Sequence, residues 1–232
     1  MRDPRDAPLR AFRQELPYRE LWPVARVLAR REPGTAFLDS GSEPEGEGRF
    51  AVLGWRPLRT LRWPTGRPGA LDALRHVVRA PRMEPDPESP VPYRGGFLGW
   101  IAYDIGRHVE RLPQRLPVRA DVPDLVLAEY EALFVEDRRD RRLFLTGACA
   151  PDEGPSRLLA RQAEFLDLVA ALPESPRDEG PAAVDVRAQV PRAEHVARVR
   201  RVLDYIAAGD VVQANLAQRL AVRLRLPAVE AY

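Results

Sequence analysis

Three polar side chains near the end of the chain have the types and spacing of a ligand-facing surface. Gln213, Asn215 and Arg219 occupy odd positions in a run whose even positions are Val212, Ala214, Leu216, Gln218, Leu220, Val222 and Leu224, all apolar but Gln218. Side chains on a β-strand alternate between faces, so this period of two predicts a long half-buried strand from Val212 with two amides and a guanidinium on one side. Such a face can form a polar pocket, but neither an amide nor a guanidinium offers a base near neutral pH. A second group is Tyr103-Asp104-Ile105-Gly106-Arg107 with Glu110, which predicts a strand end followed by a helical turn that Asp104 caps. Other chemistry is excluded. All 36 basic residues are arginine, so no lysine Schiff base, nucleophile or general base is available. Phosphate-loop, GxSxG and HExxH patterns are absent. His76, His108 and His195 lie far apart among arginines and read as structural, and the single cysteine, Cys149, forms no internal disulfide or multi-thiolate metal site.

Elements must position these groups. Val196, Val199, Leu203 and Ile206 recur at helical spacing, and Gly209 suits the left-handed residue that ends such a helix. The strand that follows needs sheet partners. Nearer the N-terminus, residues 18–31 predict an amphipathic helix with Pro23 in its first turn, and Ala36-Phe37-Leu38 a strand. A second strand over 50–55 is reached through the acidic, glycine-rich loop 41–48, and a short helix over 70–79 follows. Residues 95–103 predict a strand buried on both faces, with glycines that permit close backbone approach. Residues 125–135 and 143–146 predict a hairpin around a charged turn, Glu136-Asp137-Arg138-Arg139-Asp140. Ser156 is the expected cap of a helix to about residue 172, with Leu159, Ala163, Leu166 and Val169 on its apolar face.

The chain's 232 residues, 45% hydrophobic and 30% charged, suffice for a globular core. Its 36 basic and 34 acidic side chains are interleaved, which excludes a nucleic-acid face. The longest uncharged runs, nine residues at 95–103 and 143–151, fall short of the roughly 18 to 20 that span a bilayer. No apolar segment follows the charged N-terminus, so no secretory signal or membrane association is expected, and with the lone cysteine this points to the cytoplasm. Proline-rich stretches at 81–92 and 173–191 read as loops. The expected organisation is an N-terminal region over 1–175, a linker over 176–191 and a further segment over 192–232.

Four stretches, taken in order, resemble component I of the chorismate-aminating enzymes, the family of anthranilate synthase and aminodeoxychorismate (4-aminobenzoate) synthase. They are Phe37-Leu38-Asp39-Ser40 with Arg49-Phe50; Gly95-Gly96-Phe97-Leu98-Gly99-Trp100 running into Tyr103-Asp104-Ile105-Gly106-Arg107 and Glu110; Pro123-Asp124; and Tyr205-Ile206-Ala207-Ala208-Gly209-Asp210 continuing through Gln213-Ala214-Asn215-Leu216-Ala217-Gln218-Arg219. The Asp-Ile-Gly-Arg and Gln-Ala-Asn-Leu-Ala-Gln-Arg runs look more like the 4-aminobenzoate branch, with the anthranilate branch as the alternative. The resemblance implies an α+β fold, an α/β sandwich of mainly antiparallel sheets with outer helices, incomplete at the C-terminus. It implies amination of chorismate with ammonia from a glutamine amidotransferase subunit, with Mg2+ required by the full-length enzymes. Related enzymes that add water to chorismate carry a lysine base at the place of Gln213, so glutamine there implies amination. Ser40, Glu47, Gly48, Arg49 and Phe50 match a segment that contacts a bound tryptophan in the family. The family's catalytic and metal-binding residues, and the Pro-Ile-Lys-Gly-Thr motif of the 4-aminobenzoate branch, match nothing in this chain. It is therefore expected to be inactive alone, with no catalytic or metal-binding residue of its own. From another class, the chain could be a free-standing module that binds an amino acid or the amidotransferase.

Overall fold

The computed structural model describes residues 9–41, 47–78, 87–111, 113, 122–149, 154–172, 183–225 and 229. The chain divides into two compact units, residues 1–174 and 175–232.

In the first unit a five-stranded antiparallel sheet contains β1 (Arg10–Leu16), β2 (Ala36–Asp39), β3 (Phe50–Gly54), β7 (Ala132–Asp137) and β8 (Arg142–Cys149), in the order β1-β8-β7-β3-β2. A three-stranded antiparallel sheet, β4 (Arg59–Trp63), β5 (Gly96–Ile101) and β6 (Leu125–Tyr130), has the order β4-β6-β5. Both sheets are antiparallel throughout, with helices outside, as the resemblance implied. The helices α1 (Leu21–Arg31) and α3 (Ser156–Ala170) cover one face of the larger sheet, where Leu21, Val24, Leu28, Leu53, Leu145 and Leu158 join one core. Phe134, Trp55 and Phe165 form a mutually stacked cluster there, with Phe134 4.9 Å from Trp55 and 4.2 Å from Phe165. The opposite face meets the smaller sheet, through Val52, Val135 and Phe144 on one side and Leu98, Ala128 and Tyr130 on the other.

The expected strand over 125–135 is two strands in two sheets. It bends at Glu131, and the buried Tyr130 hydroxyl donates to the Gly34 carbonyl at 2.6 Å beside the bend. Strands that change sheets at a bend make the corners of sandwiches. The turn after β7 also begins later than expected: Glu136 and Asp137 are strand residues, and the turn is 138–141. β5 is not buried on both faces. Leu98 faces the core, but Ile101, on the face that points away from the larger sheet, is 48% exposed, and Trp100, on the same face as Leu98 near the end of this edge strand, is 49% exposed. Ser156 does not cap α3; it is the first helical residue, and Pro155 occupies the capping position. The buried residues of this helix are Leu158 and Phe165; of the predicted stripe Leu166 and Val169 pack partly buried against the same core, while Leu159 stays 42% exposed.

In the second unit β9 (Ala183–Ala188) lies inside the stretch expected to be a linker and pairs antiparallel with β10 (Leu220–Leu224). Between them runs α4 (Arg192–Ala207). Its end follows the expectation: Gly209 has φ +80°, its N–H reaches the Ile206 carbonyl at 3.1 Å, and the Asp210 N–H reaches that of Tyr205 at 3.0 Å. This is a Schellman closure, which satisfies two carbonyls of the last turn. Among the described residues no helix is long and apolar enough to cross a membrane.

Candidate functional site

The residues matched to the effector segment collect at one end of the larger sheet. Ser40 directly follows β2 and is exposed, Glu47, Gly48 and Arg49 form a 3-10 turn, and Phe50 opens β3 opposite Asp137 of β7. Loop residues 42–46 lie outside the described residues. The Arg49 guanidinium donates to both oxygens of Asp137, from Nε at 3.0 Å and from Nη2 at 2.6 Å, and reaches Asp140 at 2.9 Å. It also sits 4.8 Å from the centre of the Phe50 ring, which meets Tyr93 edge-on. Arg138 makes the matching fork on Asp39, at 2.6 and 3.0 Å, and donates to the Gly41 carbonyl. A bidentate guanidinium–carboxylate pair fixes orientation as well as distance. Two such pairs lock the β2 end, the 3-10 turn and the 138–141 turn into one rim around Ser40.

The sequence reading missed the acidic half of this rim. Asp137 is 1% exposed; burial pushes its carboxyl up, but the Arg49 hydrogen bonds and charge outweigh this and hold it below the ordinary value. Glu136, also 1% exposed, accepts from the Tyr18 hydroxyl and from the Leu21 N–H at the start of α1, each at 3.0 Å. Burial raises its carboxyl above the ordinary value, against the lowering effects of those two bonds and of Arg138, while Glu20 adds to the rise. The Tyr18 hydroxyl is itself pushed up to about 12, by burial first and then by Glu136. The available signal was two carboxylates continuing an apolar strand pattern, Leu133-Phe134-Val135-Glu136-Asp137.

A pH dependence follows. A carboxyl whose folded pKa lies above its unfolded value favours folding when protonated, and that contribution is lost as pH rises through the folded value. Glu136→Gln is therefore expected to gain stability relative to the wild type between pH 4 and pH 7. Urea denaturation at the two pH values checks this, and a constant difference contradicts it.

Asp104 does not cap a helix as predicted. Ala102 takes the capping position of a 3-10 turn, Tyr103–His108, and Asp104 accepts from Arg107 at 3.0 Å. Asp124, 2% exposed, accepts from the Gly66 N–H at 2.8 Å and lies 3.0 Å from His108 Nε2. His108 is thus structural.

In the second unit Gln213, Asn215 and Arg219 are exposed, and they do not share a strand. The ladder begins at Leu220, opposite Ala188. One further bond, from the Gln189 N–H to the Arg219 carbonyl at 3.0 Å, precedes it, and the Gln218 side chain donates to the Val190 carbonyl at 3.1 Å. Alternation assigns faces only where a neighbouring strand supplies hydrogen bonds, and among the described residues β9 is too short to reach 211–217. Among the described residues no group of three or more His, Cys, Asp or Glu side chains is placed to hold a metal ion, and no step is assigned to Mg2+.

Comparison with known proteins adds independent findings. Residues 37–232 match the model of the family described as chorismate binding enzyme. The chain is 34% identical over 204 residues to "Anthranilate synthase component 1" of Thermus thermophilus, covering 83% of this chain and 43% of that protein. It is 28% identical over 207 residues to "Aminodeoxychorismate synthase component 1" of Klebsiella aerogenes, covering 84% and 44%, and 26% identical over 201 residues to the Escherichia coli protein of that name, covering 81% and 42%. Its fold matches the crystal structure of anthranilate synthase component I from Streptococcus pneumoniae with a TM-score of 0.58 at 20% identity, over 88% of this chain and 48% of that one. The chain spans less than half the length of these relatives. By the family match over most of its residues, the chain belongs to the chorismate-binding enzymes.

Proposed function

We propose that the chain is the N-terminal part of an aminodeoxychorismate synthase component I, which aminates chorismate with ammonia delivered by a glutamine amidotransferase. The observation that carries this reading is the run Gln213-Ala214-Asn215-Leu216-Ala217-Gln218-Arg219, with an amide at Gln213. Neutral ammonia is nucleophilic enough to attack directly, whereas water, a weaker nucleophile, must lose a proton to a base as it attacks. Gln213 supplies no base; its role is to donate and accept hydrogen bonds that orient a reactant. By the same reading Ser40, Glu47, Gly48, Arg49 and Phe50 form one wall of an amino-acid effector pocket, with tryptophan as the ligand. Arg49 and Arg138 are already engaged by Asp137, Asp140 and Asp39, so they serve this wall by holding its shape. The 34% identity to the Thermus thermophilus protein favours a second reading, anthranilate synthase component I.

The genomic sequence downstream of the codon for Tyr232 tests the choice. A Pro-Ile-Lys-Gly-Thr motif supports the aminodeoxychorismate reading. Another residue in place of that lysine favours the anthranilate reading.

A further inference from the structure

A cavity on the other sheet takes no part in the reading above. Along β4 the side chains of Arg59, Leu61 and Trp63 fall on one face, and Arg59 and Phe97 both lie opposite Glu129 of β6 across the ladder. Leu98 and Ala128 join the core, so this is the outer face. Beside it stands α2 (Ala70–Val78), and between helix and strands lies a cavity of about 540 Å3. Leu61, Trp63, Phe97 and Val77 make it largely apolar. Small-molecule pockets are typically about 300 to 1,000 Å3, with apolar and aromatic walls and a few placed polar groups.

Two of the polar lining groups are guanidiniums, Arg59 and Arg67. Arg67 lies over the Trp63 ring, 5.1 Å from its centre, and the Trp63 indole N–H donates to the Arg67 carbonyl at 2.8 Å, so ring and guanidinium are held together. Arg59 lies 5.8 Å from the centre of Phe97 and is paired with Glu129. The one acidic lining residue, Asp72, accepts from Arg75 at 2.8 Å. Among the described residues no acidic side chain lies within ion-pairing distance of Arg67 or His76, both of which line the cavity. A guanidinium held by stacking keeps its fork of N–H donors for a carboxylate, and aromatic walls favour a flat ring.

We propose that this cavity binds a small aromatic monocarboxylate, its ring against Trp63 and its carboxylate on Arg67. This goes beyond the proposed function, and its failure leaves that reading intact. The test is calorimetric titration of the full 232-residue chain with benzoate and with neutral benzamide, alongside NMR of the tryptophan indole N–H signals, with Trp63 assigned by Trp63→Phe. Benzoate is expected to bind at least tenfold more tightly than benzamide and to shift the Trp63 indole signal. Arg67→Gln is expected to weaken benzoate roughly tenfold, the effect of one charge-assisted hydrogen bond, while leaving the melting temperature unchanged. The proposal is overturned if benzoate and benzamide bind alike, if Arg67→Gln leaves benzoate affinity unchanged, or if the folded chain shows no shift at Trp63 in millimolar benzoate. Selective binding of an acidic peptide instead of benzoate also overturns it.

Discussion

Gly99→Ala is expected to separate β5 from β6 and to cost roughly 3 kcal/mol or more, the upper range for overpacking against rigid structure. A Cβ at this position would stand 1.9 Å from the carbonyl oxygen of Val126, 2.8 Å from its carbonyl carbon and 3.0 Å from the Leu127 Cα. These are backbone atoms of the neighbouring strand, so no side chain can rotate to make room. Either the 96–101 ladder opens or β6 shifts, and β6 carries Leu125, Ala128 and Tyr130 in the core. Gly154→Ala is the matched control: nothing lies within 4 Å of its added Cβ, and it is expected to change stability by less than about 0.5 kcal/mol. Urea midpoints for the two variants make the comparison, and equal midpoints contradict the packing of the smaller sheet.

Arg138→Met is expected to cost about 2 to 3 kcal/mol. Breaking a fully buried ion pair by removing one partner costs roughly 3 to 5 kcal/mol, and this pair is somewhat less buried, with 17% and 12% of the Arg138 and Asp39 side chains exposed. The cost arises on the acidic side. Asp39 loses both members of its fork, and Glu136, which Arg138 approaches at 3.8 Å, loses a neighbouring positive charge. Asp39→Asn in the Arg138→Met background is therefore expected to recover part of the loss, because it removes a carboxylate charge that Arg138 no longer offsets. Arg187→Met supplies the surface comparison: its pair with Asp185 leaves 77% of the arginine exposed and is expected to contribute less than about 1 kcal/mol. The Gly41 N–H, bonded to Asp39 Oδ1 at 2.8 Å, should exchange with solvent faster in Arg138→Met than in the wild type.

Elements legible in the sequence were those with a complete local signal. α4 combined a helical stripe with a glycine stop, and the β7–β8 hairpin joined two apolar runs across a charged turn. β1 and β4 were missed because each is an edge strand with few apolar residues, Arg10-Ala11-Phe12-Arg13-Gln14-Glu15-Leu16 and Arg59-Thr60-Leu61-Arg62-Trp63. β9 was hidden inside a proline-rich stretch and is a strand because β10 pairs with it. The opposite error, a strand from Val212, has the same origin: a side-chain pattern states which face a residue would take, while a ladder requires a neighbour. At the candidate site, Ser40, Gly48, Arg49 and Phe50 were legible through family resemblance. Glu136, Asp137 and Arg138, which with Asp39 hold that rim in shape, belonged to a charged run that looks the same in sequence whether it is solvated or buried.

The central claim is that this chain supplies the amide-bearing segment of a chorismate-aminating enzyme. It is tested most directly in a chimera that joins the chain to the remaining C-terminal part of the Escherichia coli aminodeoxychorismate synthase component 1. Product formation from chorismate is followed with and without ammonia, beside the unmodified Escherichia coli protein. The predicted result is a nitrogen-containing product whose rate rises with ammonia and vanishes without it. A chimera that folds yet forms no aminated product while the parent does, or one that adds water to chorismate in the absence of ammonia, contradicts the claim.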